Sequence, residues 1–343
     1  MRKDLTGSKF MLYLVIWNII VREILFGVLA VLQNADVLDT NALRTSPWFL
    51  IGTQLLIFIL PLGIWLAFKK EPLRMPNWKL GGKNILIIVA LSFLMQPAMM
   101  MISMISAQFF HNYIPDVLYN FMQYPAWLML VAIAVTPAIC EEVVFRGYLQ
   151  AQHRDYSIRN AALLNGLFFA IIHFNLQQFA YAFAMGIIFA YMVHYTRSIW
   201  AAILPHFIIN ATQATWGRLA LATEVAEDVP EPTTREVFIV FGVIVLVLMP
   251  LVVLLFRAFV NHNRWRLTAK EQYGNDAVAV THDNEYVHDE NSGQNRDSIM
   301  VAPAETTEPQ PDIPTTPPSR FDPYAIAVVA IFIIIQYLMM RAV

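Results

Sequence analysis

Nine stretches of this chain stay apolar for about 20 residues, the length a helix needs to cross the hydrocarbon of a bilayer. They cover approximately 10–33, 47–68, 84–109, 127–150, 159–176, 178–196, 199–217, 236–260 and 323–341. Inside a bilayer no water satisfies peptide groups, so spanning segments fold as helices or close into barrels. Runs this long, without strict alternation, read as helices. The expected fold is all-α: a polytopic transmembrane helical bundle of about eight core spans plus one C-terminal span. Composition agrees, since 14% of the 343 residues are charged against about 25% in a soluble domain. The first run carries Arg22 and Glu23 and no clear small-residue cleavage site, so it is read as a retained helix and not a cleaved leader.

Loop charge orients the bundle. Lysine and arginine collect before the first run, at Lys69, Lys70, Arg74, Lys79 and Lys83, at Arg154 and Arg159, at Arg197, and from Arg257 to Lys270. The alternate loops are poor in both. Nine spans with this alternation predict an integral, multi-pass protein with a cytoplasmic N-terminus and an external C-terminus. Net charge is −2, which offers nothing to a nucleic acid. A single cysteine, Cys140, leaves neither an intramolecular disulfide nor a multi-cysteine zinc site.

The domain reading has three parts: a bundle over 1–260 with its motif core at 84–217, a linker over 261–322, and a last span at 323–343. The linker is polar, and rich in Pro, Thr, Glu and Asp from Glu305 to Pro318. It cannot bury enough surface to offset its ordering entropy, so it is read as disordered and cytoplasmic. The last span, apolar but for Gln336 and Tyr337, is expected to be an anchor outside the bundle.

Ionisable groups within a bilayer are costly and are usually kept for use. Here they recur as Glu141-Glu142-Val-Val-Phe-Arg146, Phe169-Ala-Ile-Ile-His173 and His206-Phe-Ile-Ile-Asn210. Residues four apart share a helix face, which sets Glu142 over Arg146 and His206 over Asn210. Glu141 lies about 100° round from Glu142, so one glutamate is expected to pair with Arg146 while the other faces a cavity. Pro137 and Pro205 can bend their helices and open space for water. Counted from Arg154, Arg159 and Arg197, the residues Glu141, His173, His206 and Asn210 lie roughly 14–21 Å deep at 1.5 Å per residue. They can meet near one level, and a water-filled opening toward the cytoplasm is expected.

Glu-Glu-x-x-x-Arg, Phe-x-x-x-His and His-x-x-x-Asn, in this order, resemble the signature of the CAAX protease and bacteriocin-processing (CPBP, or Abi) family of intramembrane proteases, relatives of the Ras-converting CAAX endopeptidase. The resemblance covers roughly 84–217. It implies an endopeptidase that hydrolyses a peptide bond of a membrane-associated protein or peptide near the cytoplasmic face. It also implies roles: Glu141 with His173 activates water, His206 and Asn210 hold the oxyanion, and Glu142 and Arg146 orient. No cofactor and no metal is expected. Were zinc bound, Glu141, His173 and His206 would be its ligands, although no His-Glu-x-x-His helix is present. The expected partners are the substrate and the lipid bilayer.

Blander roles are expected for other intramembrane polar residues: packing for His194 and Cys140, and pairing with neighbouring helices for Arg22 and Glu23. The methionines around Pro97 are read as packing. A secondary transporter would also bury such groups, but no inverted repeat is evident. A non-catalytic bacteriocin-immunity or scaffold protein on the same fold is the alternative, and three intact motifs argue against it.

Overall fold

In the computed structural model the described residues are 5–37, 39–70, 73, 75–112, 114–154, 156–223, 233–273 and 322–341. A helix stands at each of the nine predicted places. In chain order the elements are α1 (Thr6–Asn34), α2 (Thr40–Arg44), α3 (Pro47–Lys69), α4 (Gly82–Ala107), α5 (Ile114–Phe121) and α6 (Ala126–Gln152). They continue with α7 (Ile158–Ile171), α8 (Leu176–Thr196), α9 (Trp200–Thr223), α10 (Thr234–Tyr273) and α11 (Pro323–Arg341). Among the described residues extended pairing is confined to one bridge, between Asn77 and Ser198. Among the described residues seven helices are long and apolar enough to span a bilayer. Their outer faces carry exposed Ile16, Ile24, Leu86, Leu246 and Ile333, which suits lipid and would be costly in water. The chain is an all-α, integral multi-pass membrane protein.

Two predicted spans depart from that pattern. Helix α7 has 14 residues, about 21 Å, and ends well short of a 30 Å hydrocarbon core. Asn175 stops the chain and restarts it: its side chain accepts from the Gln177 N–H to cap α8. Phe174 turns the corner at φ 50°. Helix α9 is long enough, but His206, Asn210 and Gln213 dilute its apolar character.

The chain divides into two units, residues 1–261 with 322–343, and residues 262–321. Of the second, 262–273 are described and continue α10; the rest of the predicted linker, 274–321, lies outside the described residues. Helix α11 belongs to the first unit. Contrary to the expected outlying anchor, it packs into the bundle: Val328 and Phe332 are buried with Phe10, Phe168 and Phe174. The Ser8 hydroxyl donates to Asp322, and the Gln336 amide donates to the Phe174 carbonyl at 3.0 Å. A polar residue in an apolar helix tends to find such a partner.

Three π-helical stretches shape the interior, Leu55–Ile59, Val131–Val135 and Val143–Leu149. The first two each precede a proline by two residues, Pro61 and Pro137. Proline has no N–H and crowds the carbonyl four residues back, which orphans Ile57 and Ile133. Each orphan is met by an asparagine of another helix, Asn18 to Ile57 at 3.3 Å and Asn210 to Ile133 at 3.2 Å. Helices α7 and α8 cross at glycines: a Cβ on Gly186 would lie 2.6 Å from the Gly166 Cα. Small residues at such crossings let membrane helices touch backbone to backbone.

Candidate active site

The two glutamates of α6 point to different neighbours. Glu142 is fully buried, and its Oε1 accepts from Arg146 Nη1 at 3.0 Å and lies 2.8 Å from His206 Nδ1. Arg146 also donates to the Gly186 carbonyl at 3.2 Å, and its guanidinium lies 4.4 Å from the centre of the Phe169 ring. A charge this deep is tolerated when it is closely paired. These bonds and the ring contact tie α6, α7, α8 and α9 together at one level, while Arg146 Nε and Glu142 Oε2 have no hydrogen-bond partner among the described residues.

Glu141 faces the other way. Its Oε1 accepts from Gln54 of α3 at 3.3 Å, while its buried Oε2 has no hydrogen-bond partner among the described residues and lies 3.9 Å from His173 Nε2. That gap is too long for a direct hydrogen bond, yet a water to one side could reach both atoms. His173 follows the end of α7 and does not lie within it, as the sequence had suggested. Its Nδ1 is 2.7 Å from the Phe169 carbonyl, an oxygen that can only accept, so Nδ1 carries the proton and Nε2 offers a lone pair toward Glu141.

Phe169 stands between the two imidazoles, edge-on to His173 at 5.1 Å and to His206 at 5.9 Å. The structure thus brings together Glu141 with His173, and Glu142 with Arg146 and His206. Asn210 is one turn along α9 from His206 and has one amide proton engaged by Ile133. Among the described residues no three His, Cys, Asp or Glu side chains are grouped for a metal.

A cavity of about 290 Å³ adjoins the Glu141–His173 pair, lined also by Arg22, Phe26, Thr53 and Gln54. Helix α1 runs antiparallel to α6, with Gly7 against His153 and Phe10 against Tyr148, so Arg22 and Phe26 lie beyond Glu141 on the side away from Arg154. On the Arg154 side Phe10, Tyr13, Trp65 and Tyr148 pack together, with Trp65 donating to the Tyr148 hydroxyl at 2.6 Å. A second cavity, about 720 Å³, opens among Arg154, His194 and Arg197 and reaches Arg146.

Two neighbours of the site, Gln54 and Phe169, went unassigned in the sequence, and a third, Arg22, was assigned elsewhere. Phe169 lies within its motif, and its role needs only the four-residue spacing to His173. Gln54 belongs to a distant helix and carries no local signal. Arg22, expected to pair with a neighbouring helix, has no ion pair with any described carboxylate.

A family model described as "Rce1-like: Type II CAAX prenyl endopeptidase Rce1-like" matches residues 123–212. A curated protein of Bacillus subtilis (strain 168) named "Putative membrane peptidase YdiL" is 30% identical over 84 residues. That match covers 24% of this chain and 34% of the relative's length. No solved structure matches. All seven motif residues fall inside the segment matched by the family model, and motifs and likenesses together support a resemblance to the CPBP/CAAX family of membrane proteases.

Proposed function

We propose that the protein is an intramembrane endopeptidase that hydrolyses a peptide bond in a membrane-associated protein or peptide. The observation that carries this reading is the Glu141–His173 pair: an unpartnered carboxylate oxygen and an imidazole lone pair, 3.9 Å apart, at the wall of a cavity. A water held by both has its two protons taken up by acceptors, and its oxygen is left to attack a carbonyl. Glu141 accepts one proton on attack and returns it to the departing amine; the water's other proton leaves the new acid as it ionises and is taken up by the amine, so the products are a carboxylate and an ammonium.

His206 and Asn210 are assigned to the oxyanion. Nε2 of His206 is the ring atom not engaged by Glu142, and the Asn210 amide has a second proton beyond the one on Ile133. For Nε2 to donate, the ring holds protons on both nitrogens, with the Glu142 carboxylate as its counter-charge. Donors fixed on packed helices need no reorganisation as charge develops. Glu142 and Arg146 act through His206 and orient it. No step here uses a metal.

The test is cleavage of a quenched apolar peptide library by purified protein in nanodiscs, with Glu141→Ala and His173→Ala alongside. Both variants should lose at least 100-fold in kcat/KM with their melting temperatures kept. Undiminished cleavage by Glu141→Ala would remove it from the chemistry. No cleavage by folded wild type across the library would point to a binding or scaffold role.

A further inference from the structure

Arg22 is a cation in the wall of the site cavity that the catalytic scheme does not use. It lies two residues past the midpoint of the 29-residue α1, about 18 Å from the Asn34 end. A guanidinium at such depth calls for an anion or a watery cavity. No described carboxylate lies within ion-pair distance; Glu23 is next to it on the helix but turned about 100° away. Its guanidinium instead rests 5.7 Å from the ring of Phe174, the residue after His173. It shares the 290 Å³ cavity with Glu141 and His173. The rest of that wall is largely apolar, including Val21, Leu25, Phe26 and Phe58.

Resting on the endopeptidase reading, we propose that Arg22 is a specificity residue that binds a carboxylate of the substrate. An apolar cavity holding one cation, opposed by Glu23 of its own helix but in no ion pair, beside a hydrolytic pair selects an apolar peptide segment with one negative charge. Were it spherical, the cavity would be about 8 Å across, and an extended chain advances about 3.5 Å per residue. The carboxylate therefore lies within about two residues of the bond cut. Either the α-carboxylate of a chain end or an aspartate or glutamate side chain meets this requirement.

The experiment uses full-length protein in nanodiscs and one apolar quenched sequence in three forms. One ends in a free acid two residues beyond the scissile bond, one ends there in an amide, and one is amidated with an internal aspartate at that place. Wild type should favour at least one charged form over the plain amide by tenfold or more in kcat/KM. Preference for the first alone identifies a chain end; preference for the third identifies a side chain. Arg22→Gln should erase the preference, and Arg22→Lys should keep part of it. Equal cleavage of all three forms by wild type, or a preference that survives Arg22→Gln, overturns the inference and leaves the peptidase reading intact.

A second measurement does not depend on turnover. An N-acetyl apolar dipeptide acid should raise the melting temperature of wild type, its amide should not, and Arg22→Gln should respond to neither. Equal shifts by acid and amide overturn the inference, whether or not any peptide is cut.

Discussion

Replacing Gly186 by alanine tests whether the α7–α8 crossing sets the site. The added Cβ would stand 2.6 Å from the Gly166 Cα, 3.3 Å from the Gly166 carbonyl oxygen and 3.3 Å from the Phe169 Cβ. Ordinary contact begins near 3.4 Å. The closest obstacle is backbone, so no rotamer change relieves it and the helices must part by roughly 1 Å. Overpacking of this kind costs about 1–3 kcal/mol. The same shift moves Phe169, which separates the two histidines and supports the guanidinium of Arg146, and it moves the Gly186 carbonyl that Arg146 holds. Displacement by about 1 Å can cost on the order of 100-fold in rate. Thermal unfolding in nanodiscs and kcat/KM on a cleaved peptide read the two effects. Gly27→Ala on α1 is the control, since a Cβ there meets nothing within 4 Å. Wild-type stability and rate in Gly186→Ala would refute the argument that this close crossing positions the site.

Arg146→Met should destabilise by about 3–5 kcal/mol, because it removes the buried guanidinium that Glu142 and the Gly186 carbonyl bond to; Glu142→Leu combined with Arg146→Met should recover most of that loss in the same unfolding assay. Burial pushes His153, just past α6, down to about 4, against a weaker opposing pull from Asp322. The unfolded chain then binds more protons between about pH 6.5 and 4, so stability falls across that window as pH drops, by up to about 3 kcal/mol. Unfolding free energies at pH 7 and 4.5 should show this in wild type and lose most of it in His153→Gln. Gln336→Leu leaves the Phe174 carbonyl buried and unpaired, which should cost about 1–2 kcal/mol and lower kcat/KM through the turn that bears His173.

The parts legible in the sequence are those that depend on distance along the chain. Apolar length located nine of the eleven described helices, missing only the short α2 and α5, and the four-residue spacing from Glu142 to Arg146 reappears as a 3.0 Å contact. The aim of the two glutamates into different surroundings followed from the 100° step between neighbours. What stayed hidden depends on which helices are neighbours. Nothing near Gln54 in the chain announces Glu141, 87 residues on. The early end of α7 rests on the Asn175 cap, and apolar residues on both sides mask it in a hydropathy profile. Helix α11 looks like a simple anchor because Gln336 shows its purpose only against Phe174. Nor can depth counted from the arginines reveal that one cavity lies beyond Glu141 while a second, on the Arg154 side, reaches Arg146.

The contact between Gln336 and Phe174 also has a consequence in time. The two residues are 162 apart in the chain, and at about 5–20 residues per second Gln336 is made roughly 8–32 s after Phe174. Throughout that interval the turn bearing His173 has every motif residue up to the point of synthesis but not the helix that holds its backbone. The last helix is thus a late-delivered part of the candidate site, and the turn bearing His173 gains its Gln336 contact only near the end of synthesis.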